Sequence, residues 1–228
     1  MDLGVIVNEH YRGLILAGLQ MTLYLFVCSW LLGMAFGVLL TMLRALELPP
    51  LTWLIVAYVE YHRNVPALIQ LFIWYFGIAT LLPAGVNDYI NDRGAEIVFA
   101  IIAFGCNKAA FISEELRGGL RAIPATQMEA ARSIGLGYVG AMRWVIIPQA
   151  WRLALPGIMG QTLFLFKLTS IAAAIGTPEL TYEARHIENL TFRIFETFSI
   201  VTAIYVAGCF SLMWLGAWIA HRFRLRLK

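Results

Sequence analysis

Long apolar runs separated by short charged clusters set the pattern of this chain. No charged side chain stands between Arg12 and Arg44, between Arg63 and Asp88, or between Glu196 and His221. Each gap holds the roughly 20 mainly apolar residues that a membrane-spanning helix needs. Two further runs carry one lysine each: residues 97–113 around Lys108, and residues 153–178 around Lys167. The pattern predicts an all-α protein with five spans. The first covers about residues 14–43 and contains Gly33-Met-Ala-Phe-Gly37, a spacing that lets helices pack closely. The second begins after Pro49-Pro50 and runs toward Leu82, interrupted at Pro66. Glu60, His62, Arg63 and Asn64 stand just before that proline. A broken polar stretch at membrane depth is tolerated only against protein or water. The same cluster also reads as a solvated helix junction near the membrane surface.

Composition agrees. Of 228 residues 60% are hydrophobic and 14% charged, with a mean hydropathy of +0.73, whereas soluble domains average about 25% charged. This is the composition of an integral membrane protein, one transmembrane domain over residues 1–228. No cleavable signal peptide is expected, because Asp2 and Glu9 stand where a basic segment belongs. The cysteines (Cys28, Cys106 and Cys209) lie in apolar runs without C-x-x-C spacing, so buried free thiols are expected rather than disulfides or a metal site. Neither a catalytic motif nor a nucleic-acid partner is indicated. H-E-x-x-H, G-x-S-x-G and G-x-x-x-x-G-K-[ST] are all absent, and the four histidines are scattered.

The placement of charge gives an orientation. With five spans, one side receives Arg44, Arg117, Arg121, Arg132, Arg143, Arg152, Arg222, Arg224, Arg226 and Lys228. The other receives Arg12, Arg93, Arg185 and Arg193, among eight acidic residues. The positive-inside rule makes the first side cytoplasmic. The amino terminus is then outside and the carboxyl terminus inside.

Residues 124–148, between spans three and four, fall on the cytoplasmic side. Pro124 stops the preceding helix. Thr126-Gln-Met-Glu129 has capping-box spacing, which predicts a short helix over residues 127–134 with Thr126 as its cap. Gly135 and Gly137 are expected to end it in left-handed backbone. A second short amphipathic helix follows, with Met142, Val145 and Ile146 on one face, closed by Pro148. The shape suits docking against a partner, or an ordinary interfacial loop.

Glu129-Ala130-Ala131, three residues, Gly135, nine residues, then Val145-Ile146-Ile147-Pro148 resembles the EAA motif of bacterial ABC-importer permeases, EAA-x3-G-x9-I-x-L-P. Arg63 to Gln70, Glu114 to Gly119, Pro148-Gln-Ala150 and Lys167-Leu-Thr-Ser170 resemble the polar amino-acid branch (histidine, glutamine, arginine and glutamate/aspartate systems). Thr126 and Leu168 depart from it, standing where the family often has glycine and aspartate. The resemblance implies that Glu129, Ala130, Ala131 and Gly135 form a coupling helix docked on a cytoplasmic ATPase subunit, which holds ATP and magnesium. On that resemblance this chain is expected to bind no cofactor or metal itself. The resemblance also implies a second permease, identical or similar, and a periplasmic solute-binding protein meeting residues 83–96 and 177–196. It further implies an amino-acid substrate and a location in the bacterial inner membrane, multi-pass among its lipids. The alternative is an ATP-independent secondary carrier or channel. The stretch from Arg63 to Pro66 is slightly closer to glutamate/aspartate members.

Lys108, about midway along span three in Phe104-Gly-Cys-Asn-Lys-Ala-Ala-Phe111, is the most unusual residue. A lysine at the bilayer centre costs about 2.5–3.5 kcal/mol, so it must face a partner or a wet cavity. One reading is a structural ion pair with Glu60 or Glu114, or a neutral lysine. The other is that Lys108 and Asn107 line the substrate path and hold a carboxylate, with Arg63 and Lys167 as further candidates. Small polar residues are usual here in the resembled family, so a cation favours an acidic substrate.

Overall fold

The computed structural model describes residues 9–222. Asp2, Arg224, Arg226 and Lys228 of the orientation argument lie outside the described residues. Those described are helical throughout, without strands. α1 is Glu9–Arg44, α2 Pro49–Asn64, α3 Ala67–Leu81 and α4 Ala84–Asn91. α5 is Ala95–Arg121, α6 Ala125–Ser133, α7 Tyr138–Ile175, α8 Leu180–Thr191 and α9 Ile194–Arg222.

α1, α5, α7 and α9 are each long and apolar enough to cross a bilayer. The fifth expected span is a bent pair. α2 and α3 meet at 111° across Val65-Pro66, because proline has no N–H to give and pushes the preceding residue to extended backbone. Val65 is extended, with φ −92° and ψ 132°. The pair nevertheless climbs α5. Ile55 and Val59 pack with Ala109 and Ala110, the Tyr58 hydroxyl donates to the Cys106 carbonyl at 2.6 Å, and Tyr75 lies edge-on to Phe99. Successive residues of α2–α3 thus meet successively earlier residues of α5, and the break falls at the level of Asn107.

α1 against α5 is the most extensive helix pair. Its approach rests on the glycine spacing: a Cβ at Gly33 would stand 2.9 Å from Lys108 Cβ, and one at Gly37 would stand 3.0 Å from the Ala109 carbonyl oxygen. Dispersion and close backbone approach, rather than exclusion of water, hold helices together in lipid. The core lies among α1, α3, α5 and α7, where Leu25, Leu71, Phe104 and Leu165 meet. Trp30 Nε1 donates to Thr162 Oγ1 at 3.0 Å, tying α1 to α7. At the basic end, Glu114 accepts from Arg44 at 2.7 Å and from Arg117 at 2.9 Å. α9 is peripheral; of its residues only Thr197, Val201 and Gly216 are buried.

Several local expectations are corrected. α6 begins at Ala125 with Pro124 at its N-cap, so Thr126 is already inside the helix and no side chain caps it. The extended ψ of Pro124 starts the helix by itself, and the capping-box role drops out. Gly135 ends α6 in left-handed backbone at φ +88°. Its N–H reaches the Arg132 carbonyl at 3.0 Å and that of Leu136 the Ala131 carbonyl at 3.2 Å, a Schellman pair. Gly137 is instead extended, with φ −66° and ψ 169°. The second short helix is not separate. α7 runs through Pro148, because the turn Met142–Ile146 is wound as a π-helix. The Ile147 N–H there reaches Met142, and this wider turn accommodates a residue with no donor. The cysteines are free but half-buried rather than buried.

Candidate functional site

Two places carry the polar chemistry: a buried group at the α2–α3 break, and the exposed segment around α6.

Fully buried Gln70 holds the break. Its Nε2 donates to the Val65 carbonyl at 2.7 Å and to that of His62 at 3.0 Å, while its Oε1 lies 2.6 Å from His62 Nδ1. Asn107 of α5 completes the clasp, with Nδ2 donating to the His62 carbonyl at 3.1 Å and to Gln70 Oε1 at 3.3 Å. Breaking a helix frees carbonyls that lipid cannot satisfy, and two amide side chains satisfy them here. Asn107 was a candidate path residue, and its amide nitrogen is committed to the fold. The earlier cluster divides at this point: His62 is buried in the clasp, whereas Glu60, Arg63 and Asn64 are exposed.

Lys108, one residue on, is 1% exposed. Neither ion pair offered for it forms. Glu114 is taken by Arg44 and Arg117, and Glu60 bonds to Asn64. Lys108 Nζ instead donates to Gln161 Oε1 at 3.3 Å, and Gln161 Nε2 donates onward to Glu115 Oε1 at 3.4 Å. The ammonium also lies over two ring faces, 4.5 Å from the Phe111 centroid and 4.4 Å from that of Phe164. A desolvated cation over a ring gains about 2 kcal/mol. Phe164 is 51% exposed, so one side of its ring faces out of this chain while the ammonium behind it is enclosed. Arg63 reaches the same Phe111 ring, its guanidinium carbon 5.9 Å from the centroid. Lys167 is exposed on α7 three residues beyond Phe164, on the same helical face. The structure therefore gathers Lys108 and Arg63 about one ring and sets Lys167 apart. Gln70, Gln161, Glu115, Phe111 and Phe164 were missed. Polar residues in apolar runs were the available signal for the glutamines.

In the α6 segment, Glu129 and Ala130 are exposed while Ala131 is buried against the start of α7. Gln149 of α7 donates to Gln127 of α6 at 3.2 Å, fixing the two. Four large apolar side chains stand out beside them: Ile134 (77% exposed), Tyr138, Val139 and Trp144. These side chains leave an exposed apolar patch next to the turn at Gly135.

The second expected outer segment is a docked helix. Leu180, Ala184 and Ile187 of α8 are buried against α1 and α9, leaving Tyr182, Arg185, His186 and Leu190 exposed. Glu179 caps α8 through the Thr181 and Tyr182 N–H groups, both at 2.9 Å, and accepts from Tyr205 at 3.0 Å and Thr22 at 3.5 Å. Burial pushes its carboxyl up to about 7 against these bonds, which favour the ionised form.

A family model described as binding-protein-dependent transport system inner membrane component matches residues 15–225. The chain is 30% identical over 203 residues to the glutamate/aspartate import permease protein GltJ of Escherichia coli (strain K12), covering 87% of this chain and 82% of that protein. It is 34% identical over 220 residues to the octopine transport system permease protein OccM of Rhizobium radiobacter, covering 91% and 87%. Among solved structures, it superposes on an amino acid ABC transporter crystallised with histidines at a TM-score of 0.85 and 29% identity, covering 97% and 99%.

Proposed function

This chain belongs to the family of inner membrane components of binding-protein-dependent transport systems, and on that footing we propose that it forms the path of an ATP-driven importer of acidic amino acids. It is a multi-pass inner-membrane permease subunit and not an enzyme. Hydrolysis of ATP belongs to a separate subunit, and the family works with a solute-binding protein.

The observation that carries the substrate reading is Lys108. A buried ammonium with three donors meets one neutral amide and two ring faces, and no carboxylate among the described residues bonds to it directly. An incoming carboxylate would supply the missing partner, reaching Lys108 once the outward-facing Phe164 ring that covers it turns aside. Arg63 stands near enough to reinforce the field. The relative that imports glutamate and aspartate supports the same class.

The α6 segment is the coupling element in this reading. Glu129 offers an anion and Ala130 a thin exposed face, Gly135 fixes the turn, and the apolar patch from Ile134 to Trp144 gives the ATPase subunit something to grip. Counting α2–α3 as one crossing puts this segment inside with Arg44, Arg117, Arg121, Arg132, Arg143 and Arg152. The amino terminus is then outside, and the exposed face of α8 is open to the binding protein. A second permease, identical or similar, packs on the exposed face at Phe164 and Lys167.

The test is uptake in proteoliposomes holding the chain with its partner subunits. Lys108→Ser should raise the half-saturating concentration for glutamate or aspartate at least tenfold, the scale of one charged hydrogen bond at about 1.5–3 kcal/mol, with unchanged membrane abundance. Unchanged saturation would remove Lys108 from the path.

A further inference from the structure

The basic end of the α1–α5 pair holds a cavity that the transport reading does not use. It has a volume of about 510 Å³ and is lined by Arg44, Arg117 and Arg121, with Glu47, Thr52 and Trp53 at its rim. Arg44 and Arg117 each spend a donor on Glu114, and each guanidinium has five. Arg121 makes no ion pair with a carboxylate among the described residues. Three arginines against Glu47 and Glu114 leave one net positive charge. Trp53 is 78% exposed, the placement of an interfacial aromatic.

A second cavity of about 280 Å³ continues from the first, sharing Thr41, Ala45 and Leu120 with it. Its lining is of the opposite character: Val38, Met42, Leu116, Met142, Ile147 and Trp151. A cationic chamber opening into an apolar groove is complementary to a molecule with an anionic head and a hydrocarbon tail. A free phosphate matches only the first chamber, and an acidic peptide does not match the second. Basic pockets between spans take anionic lipid head groups on these grounds.

We infer that this double cavity is a binding site for one anionic phospholipid, its phosphate held by Arg117 and Arg121 and one acyl chain lying between α1, α5 and the base of α7. Met142 opens the π-wound turn of α7 and Ile147 follows it, so the acyl chain would pack directly against the root of the α6 segment. The inference rests on this end of the helices and is independent of the amino-acid reading.

The experiment uses the assembled transporter, stripped of lipid in detergent and then offered dioleoyl phosphatidylglycerol, dioleoyl phosphatidylcholine or inorganic phosphate. Bound lipid is counted by native mass spectrometry. Phosphatidylglycerol should be retained about fivefold over phosphatidylcholine, the discrimination expected of one unpaired cation near a membrane. Arg121→Gln, at an exposed helix end, should bring phosphatidylglycerol down to the phosphatidylcholine level. Ala45→Trp, at the junction of the chambers, should remove both lipids. Inorganic phosphate at millimolar concentration should displace neither. Equal retention of the two lipids, or retention unaltered in both variants, overturns the site. Displacement by phosphate alone would make it an anion site rather than a lipid site. Lipid bound by the isolated chain but not by the assembly would assign the cavity to a protein interface. Either result overturns the inference.

Discussion

Gln70 shows how one side chain decides whether a span can break. The carbonyls freed at Val65-Pro66 have no water to turn to, and Gln70 with Asn107 takes them up. Gln70→Leu, nearly isosteric, should therefore lower stability by about 1–3 kcal/mol, the cost of leaving a buried acceptor unpaired. Thermal unfolding of the purified transporter would register this as a lower midpoint, while Asn64→Ala on the exposed side should change it little. An unaltered midpoint for Gln70→Leu would refute the clasp. At this scale the sequence was half legible. Lys108 stood out because charge is rare in an apolar run, and its partner did not, because Gln161 lies 53 positions away and only the packing of α5 on α7 brings them together. Asn107 was read as a path residue beside Lys108, whereas its amide nitrogen works for the backbone of α2, a job that spacing does not reveal.

At the scale of elements, the proposed contacts with partners fall on the α6 segment and α8. The turn at Gly135 needs positive φ, and a Cβ there would meet no neighbour. A β-branched residue at 135 is thus strained by its backbone alone, by about 1–2 kcal/mol. Gly135→Val, or Glu129→Lys by charge, should leave the protein inserted but uncouple uptake from ATP hydrolysis, measured together in proteoliposomes. Wild-type uptake in both would sink the coupling role. The start of α6 was read two residues late because a capping-box pattern was weighed above Pro124, which starts the helix through its own backbone angles. Pro148 was likewise read as a stop, and a π turn carries the helix past it.

α8 adds a dependence on pH. Glu179 faces Thr22 and Gly18 of α1, Tyr205 of α9, and Thr181, Tyr182 and the buried Glu183 of its own helix; Glu183 in turn pairs with His186. Its carboxyl is raised to about 7 from an ordinary 4.5. Between those values the folded protein binds a proton that the unfolded chain has lost, so stability falls as pH rises from about 4.5 to about 7 and is level above. The full effect is of the order of 3 kcal/mol. Midpoints measured across pH 5 to 8 should show that decline, and Glu179→Gln should flatten it. A slope unchanged in the variant would assign the dependence elsewhere.

For the whole molecule, the sequence carried the class and most of the architecture, because the bilayer imposes a length and a polarity that apolar runs cannot hide. It did not carry the 111° bend, since the angle depends on how Gln70 and Asn107 close the gap, nor the docking of α8, whose apolar face is only a few residues. At this scale the proposed function turns on the energy source and the charge of the cargo. The direct measurement is uptake of labelled glutamate, glutamine and arginine into proteoliposomes holding this chain with its ATPase and binding-protein partners, with and without ATP. Uptake that requires ATP and favours glutamate is the predicted result. Equal uptake without ATP, driven by an ion gradient alone, would identify a secondary carrier, and ATP-driven preference for arginine would contradict the role given to Lys108.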